Sequence, residues 1–374
     1  MADLDAAAAG AARALADFSQ WIEQRLPSAP PERVCAGPEL LELLLRRGHW
    51  CHTAIGELLE EARGELDSAV EELDRLARSV APGGWREAQT RIADAHPARE
   101  DYLPRFERIW QACRQMAVDR ELVTWPDAPI RYVEIPSHTR DAAPSLYYLF
   151  YRSPAPFDTI PVYEYVVTPI GADLPADEQE RRLRAASDST ITLNHVVHHG
   201  ALGHHVQNFY ATHGQSRIGQ IAAVDGASRI GMFSAGTLAE GWACYACDLA
   251  EEFGLLTPLD AVAQQHTRVR LLTRAVADLE LHSGRHTPED TAALYRDEAM
   301  MPAEAAHAEA VKNAMFPGTA VMYWLGTRDL HALRGVCQMR AGSAFTLRAF
   351  HDQVLSHGAI PVPLIARLMT EADS

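Results

Sequence analysis

Two long stretches of helical periodicity, set on either side of a Tyr- and Val-rich middle, decide most of what this chain of 374 residues can become. In residues 37–80, GPELLELLLRRGHWCHTAIGELLEEARGELDSAVEELDRLARSV, Leu, Ile and Val recur at three- and four-residue spacing with acids and bases between them. Pro82-Gly83-Gly84 ends that run. A second helical stretch covers about Arg99 to Leu122. IRYVEIP, SLYYLFYRS and VYEYVVTPI then read as short strands, because aromatic and β-branched residues fill them and Pro and Gly punctuate them. From about Asp177 the helical pattern returns to the end, broken at Pro302, at Pro317-Gly318, and near Pro361 and Pro363. The predicted fold is mainly α: a compact multi-helix body forming one domain over 1–374. Residues 1–125 are its helical N-terminal part, 126–175 a small β-rich insert, and 176–374 a second helical part.

Composition narrows the function. A net charge of -16 excludes the basic surface that nucleic acid or an anionic membrane requires. No apolar run reaches the eighteen or so residues that span a bilayer. The start, MADLDAAAAGAARALADF, lacks a basic region followed by an apolar core, so it does not read as a signal peptide. Six scattered cysteines show no disulfide framework. A cytoplasmic protein with reduced thiols is the expectation. Nothing in the sequence sets an oligomeric state.

Chemistry concentrates in Asn194 to Gln207, NHVVHHGALGHHVQ, where five of fourteen residues are histidine in a chain with seventeen in all. Imidazole is the commonest metal ligand and titrates near neutral pH, so the cluster points to a metal or a proton-transfer site. The competing reading is a solvated helix face. On a regular helix His195 and His199 share a face. His198 and His205 are two turns, about 10.5 Å, apart. His198 and His204 stand about 120° apart around the axis. Gly200 and Gly203 interrupt the run and make a distortion plausible there. Spacing leaves the ligand pairs open.

LAEGWACYACDLAEEFG, residues 238–254, reads as a helix with Trp242, Ala246, Leu249 and Phe253 buried. Glu240, Cys244, Cys247 and Glu251 form a second stripe, facing either a metal or the core. In TRVRLLTRAVADLELHSG, Arg270, Arg274, Asp278 and His282 follow four apart. Asp278 is placed to orient His282, as carboxylates orient working imidazoles; the alternative is an exposed ladder of ion pairs. Tyr323 follows the Pro317-Gly318 break, where it serves packing or donates to an oxyanion.

HHGALGHHVQ, EGWACYAC, RAVADLELH and PGTAVMYWLG, in this order, resemble the four hallmark blocks of a bacterial domain-of-unknown-function family grouped with the gluzincin-type zinc metallopeptidases. The resemblance covers most of the chain. It implies His198, His204 and Glu240 as metal ligands and zinc as the ion, with iron the lesser candidate. It implies His282 and Tyr323 as hydrogen-bond donors to substrate, with Asp278 behind His282. His205, Arg274 and Cys247 are expected to contact substrate. His199 stands where the family has its catalytic Glu, Cys247 where it has a second Glu, Leu202 in place of Pro, Thr319 in place of Gln, and Lys312-Asn313 in place of Arg-Tyr.

The expected function is that of a metal-dependent enzyme on a peptidase-like scaffold, acting on a small amino-acid- or amide-containing molecule or a short peptide-like one. It either hydrolyses its substrate, with His199 as base, or uses the metal as a Lewis acid in a non-hydrolytic step of a specialised biosynthesis, His199 being equally suited to join the ligands, with His195 beside it. An inactive peptidase-like binding protein and an iron-dependent oxidative enzyme are the alternatives.

Overall fold

The computed structural model describes residues 2–25, 34–140, 151–155, 158–159, 162–214, 216–223 and 236–371. They divide into two units, Met1–Cys35 and Ala36–Ser374. Among the described residues the first holds α1 (Ala2–Arg25).

The second unit opens with α2 (Pro38–Arg47), α3 (Ile55–Val80), α4 (Trp85–Asp94) and α5 (Tyr102–Asp119). Three strands follow, β1 (Arg131–Glu134), β2 (Tyr151–Arg152) and β3 (Glu164–Val167), and then α6 (Ala176–Ala185). A π-helix, Ile191–Gly200, precedes α7 (His204–His213), α8 (Arg217–Ala222), α9 (Gly236–Glu252) and α10 (Pro258–His282). The remainder is α11 (Pro288–Asp297), α12 (Ala303–Met315), α13 (Met322–Ala341), α14 (Leu347–Ser356) and α15 (Val362–Glu371). The mainly α architecture with a small sheet is the one the periodicities predict. The helical run of residues 37–80 comprises two helices, α2 and α3, with a break at residues 48–54.

In the sheet β3 is central, parallel to β1 with Arg131 opposite Glu164, and antiparallel to β2 with Tyr151 opposite Tyr165. All but the last three residues of SLYYLFYRS lie outside the described residues. Among the described residues no helix is long and apolar enough to cross a membrane.

Two large apolar clusters and two small ones pack the described residues of the second unit. Of the large ones, one joins α5, the sheet, the π-helix and α9 through Phe106, Tyr165, Val196 and Trp242. The other joins α3 to α10. Leu58, Leu66 and Leu73 of α3 belong to it, as do Val269, Val276 and Leu279 of α10. A buried leucine contributes about 2 kcal/mol by leaving water, so each seam is held by several such residues. α10 starts on a capping box: Thr257 Oγ1 accepts from the Asp260 N–H at 3.2 Å, and Asp260 Oδ2 accepts from the Thr257 N–H at 3.0 Å. Asp260 Oδ1 also takes a 2.6 Å bond from Ser189 Oγ, tying the start of α10 to the turn ahead of the π-helix.

Candidate metal centre

The histidine stretch is helical up to Gly200, but its turns are widened into a π-helix, a form that recurs at functional sites. The chain then bends through Ala201–Gly203 and restarts as α7 at His204. Gly203 permits the bend: a Cβ there would overlap the carbonyl of His198. The bend folds His204 back onto His198, so that their rings lie 4.8 Å apart at 89°. His199 joins them, its ring 4.7 Å from His198 and 5.3 Å from His204. One ring nitrogen from each of the three falls within 4.8 Å of the others.

α9 brings the carboxylate. Glu240 Oε2 is 3.5 Å from His198 Nε2 and 3.4 Å from His204 Nε2. Trp242, two residues on and on the buried side, donates Nε1–H to the Leu202 carbonyl at 2.8 Å and so locks α9 to the bend. α9 is held from behind by α13, at a crossing where Gly241 and Gly326 meet so closely that a Cβ on either would strike the other helix's backbone. The side chains of His198, His204 and Glu240 are 15%, 14% and 21% exposed, which leaves them sheltered yet reachable.

Burial, followed by the nearby His198 and His204, keeps His199 well below its ordinary pKa, and burial lowers His198 despite its bond to Glu240. Burial also opposes the charge on Glu240, but His204 and the bonds from His198 and His204 prevail and hold its carboxyl well below the usual range. A neutral His198 and His199 beside an ionised Glu240 match the protonation states that metal ligands need. His199 Nδ1 lies 2.6 Å from the Asn194 carbonyl, the buttress that fixes an imidazole's tautomer and presents Nε2 as a ligand atom.

The cluster borders a cavity of about 580 Å³ at the seam of the two cores, in the size range of small-molecule sites. The stripe on α9 faces it as far as Cys247: Glu240, Cys244 and Cys247 line it, whereas Glu251 pairs with Arg268 at 2.5 Å. Burial raises both thiols far above their ordinary range, so they stay protonated, and Cys247 Sγ donates to the Leu193 carbonyl at 3.7 Å. Arg274 and Tyr323 share another wall, the guanidinium 5.4 Å from the ring centre.

Three predicted residues stand apart from this wall. His205 is fully buried, its Nε2 bonded to the Ala128 carbonyl at 2.7 Å and its Nδ1 to Tyr151 Oη at 3.2 Å. His282 is equally buried, with Nδ1 accepting from the Ala36 N–H at 3.0 Å and Nε2 donating to the Asn313 carbonyl at 2.9 Å. Asp278 takes the N–H groups of Gly318 and Val321 at 3.0 and 2.9 Å, and its Oδ1 is 3.5 Å from His282 Nε2. Both ring nitrogens of His282 are thus engaged within the protein. Together Asp278 and His282 anchor the turn from which α13 and Tyr323 begin. The α10 stripe is a buried network rather than an exposed ladder, because α3, α12 and α13 cover it. His195 also stands outside the cluster, bonded to Tyr165 Oη at 2.6 Å, with burial pushing its pKa down to about 4.

Sequence reasoning did not single out Glu309, whose carboxylate grips Arg274 at 3.0 and 2.6 Å, or Gln264 and His266 on the cavity wall. The Arg274–Glu309 pair spans thirty-five residues and leaves no local pattern.

Fold and cluster define a mainly helical protein with a histidine–carboxylate group at the edge of a cavity. The chain belongs to the family described as "Bacterial protein of unknown function (DUF885)", which matches residues 1–369. No curated protein matches it. Two solved structures share the fold. One is a "putative lipoprotein of unknown function" from Shewanella oneidensis, 21% identical, TM-score 0.79, covering 96% of this chain and 65% of its own. The other is a "putative lipoprotein" from Colwellia psychrerythraea, 19% identical, TM-score 0.74, covering 94% and 58%. This chain therefore spans about three-fifths of their lengths. Their descriptions overturn the expectation of a cytoplasmic protein. Addressing is carried by short terminal signals rather than by the folded body, so helical periodicity and charge could not decide it.

Proposed function

We propose that this protein is a metal-dependent enzyme acting on a small amino-acid-derived or amide-containing molecule. The observation that carries the reading is the meeting of His198, His199 and His204 with Glu240 at the edge of a cavity. Three imidazoles and one carboxylate suit zinc, and suit iron as the second choice. The ordered motifs that resemble gluzincin-type metallopeptidases support a peptidase-like origin for the scaffold.

When bound, the ion supplies a Lewis acid at the edge of the cavity. Arg274 and Tyr323 present a cation and a hydroxyl on the same cavity wall, where they hold and orient the substrate. Among the described residues, the carboxylates on that wall are Glu240, committed to the histidines, and Glu309, committed to Arg274. No wall carboxylate is left to act as the base of a hydrolase, and His199 is grouped with the ligands. These features favour a non-hydrolytic reaction over amide hydrolysis.

Elemental analysis of the purified protein beside His198→Ala and Glu240→Ala tests the reading. Near-stoichiometric zinc in the wild type, lost in both variants, is the expected result. Iron in its place moves the chemistry to oxidation. A wild type that takes up no metal when zinc is added sinks the reading.

A further inference from the structure

The cavity is long. On α10, Ala263, Thr267, Arg270 and Arg274 recur three or four residues apart, and all line it. At 1.5 Å of rise per residue they mark a floor of about 16 Å. Arg274 stands at the cluster end, where its charge acts on His198. His266, also on the cavity wall, lies eight residues back along α10, about 12 Å toward the far end.

That far end is aromatic. Trp85, the first residue of α4, sets its indole 4.2 Å from the His266 ring, with 31° between the planes. His266 Nε2 is bonded to the Ala299 carbonyl at 2.9 Å, and burial pushes its pKa down to about 4. The imidazole is therefore fixed, and neutral at ordinary pH. Ile92 and Gln89, from the same helix as Trp85, line the cavity beside the pair. Trp85 and Gln89 also line a second hollow of about 640 Å³, with Met300 and Met301. The indole is thus half-buried, packed on an imidazole, and bordered by two open spaces. Such a ring offers apolar area and a π-face to an aromatic group, at little entropic cost to itself.

We propose that this end of the cavity, Trp85 against His266 with Ile92 and Gln89 beside them, is a distal subsite for an aromatic group on an extended, peptide-like substrate. Which end of that substrate reacts rests on the metal-dependent reading; the binding of the aromatic group does not. An extended chain covers 3.3–3.6 Å per residue, so about three residues separate the aromatic group from the carbonyl at the histidines. Trp85 is then a specificity-determining residue, far from the chemistry. The competing account is that Trp85 and His266 only pack α4 on α10.

The test is calorimetric titration of the full zinc-loaded chain with N-acetyl-Phe-(Gly)n hydroxamates, n running from 0 to 4. The hydroxamate is a zinc-binding group and anchors one end. The same series with Ala in place of Phe, and the n = 3 carboxamides of both, are the controls. The Phe ligand is expected to bind at least about tenfold more tightly than its Ala counterpart near n = 3, and no more tightly at n = 0. Trp85→Ala removes that advantage and leaves the Ala series unchanged, whereas Trp85→Phe keeps most of it. A merely structural Trp85 lowers the melting temperature without touching the preference for Phe. If Trp85→Ala does not fold, the dependence on n in the wild type decides. An advantage equal at every n overturns the subsite, as does one that survives in Trp85→Ala or never emerges. Hydroxamates that bind through zinc with no preference for Phe sink the subsite and leave the metal reading standing. Carboxamides that bind as tightly as hydroxamates, with the preference at n = 3 intact, uphold the subsite while the metal reading falls. No binding of either kind overturns both.

Discussion

His198 and His204, six residues apart in sequence, face each other with ring centres 4.8 Å apart and planes at 89°. A regular helix would leave them about 120° apart around its axis. The contact exists because a π-helix ends at Gly200 and the chain turns at Gly203 before α7 begins.

Gly203→Ala should therefore act on the proposed metal site through the backbone. The new methyl would overlap the His198 carbonyl, and overpacking of this kind costs about 1–3 kcal/mol. The melting temperature is expected to fall and zinc content to fall with it. A variant that melts lower yet holds full zinc would show that the cluster tolerates a different bend.

His199 is expected to behave as a ligand. Loss of a residue that only supports a ligand weakens metal binding roughly 10–100-fold, and loss of a ligand itself weakens it at least as much. His199→Ala should show this in competition with a chromogenic chelator. Unchanged zinc affinity would return His199 to the position of a base.

His282→Ala and Asp278→Ala are expected to destabilise the fold and leave zinc content intact. Each variant strands buried partners: the Ala36 N–H and Asn313 carbonyl in one case, the Gly318 and Val321 N–H groups in the other. The cost is on the order of 2–4 kcal/mol in urea unfolding. Wild-type stability in both variants would show that these residues do not hold the turn.

Stability should fall with acid in a defined window. Burial lowers His195, His205, His266 and His351 to about 4 from 6.5. Below pH 6.5 the unfolded chain takes up these protons first, so stability is full above that pH and is lost as pH falls through 4. Each histidine contributes at most about 3 kcal/mol to the loss. His351 is held by the Leu122 carbonyl and Tyr245 Oη, and replacing it with Gln should flatten the pH dependence of urea midpoints over this range. An unchanged slope would mean that His351 is not kept neutral by the fold.

The helices, the insert and the concentration of chemistry at residues 194–207 were legible in the sequence, because periodicity and residue type act locally. Leu58, Leu66 and Leu73 announce the buried face of α3 through their spacing alone. The stripe Glu240, Cys244 and Cys247 was likewise legible as one face of α9, but its spacing left open whether that face meets a metal or the core; it lines the cavity. Local pattern could not tell which histidines converge. His195, His205 and His282 look as suitable as His199, but packing takes both nitrogens of His205 and His282 in bonds to Tyr151, Ala128, Ala36 and Asn313, and His195 Nδ1 in a bond to Tyr165.

The sequence by itself determined the helical body, the position of the sheet and the supply of ligand-bearing residues, since these follow from short-range periodicity. Tertiary structure alone decided the histidine–carboxylate cluster, the burial of the α10 stripe and the pairing of Arg274 with Glu309. Each depends on where separate elements meet, and that is set by close approaches such as Gly203 to His198 and Gly241 to Gly326, whose partners lie several to many residues away.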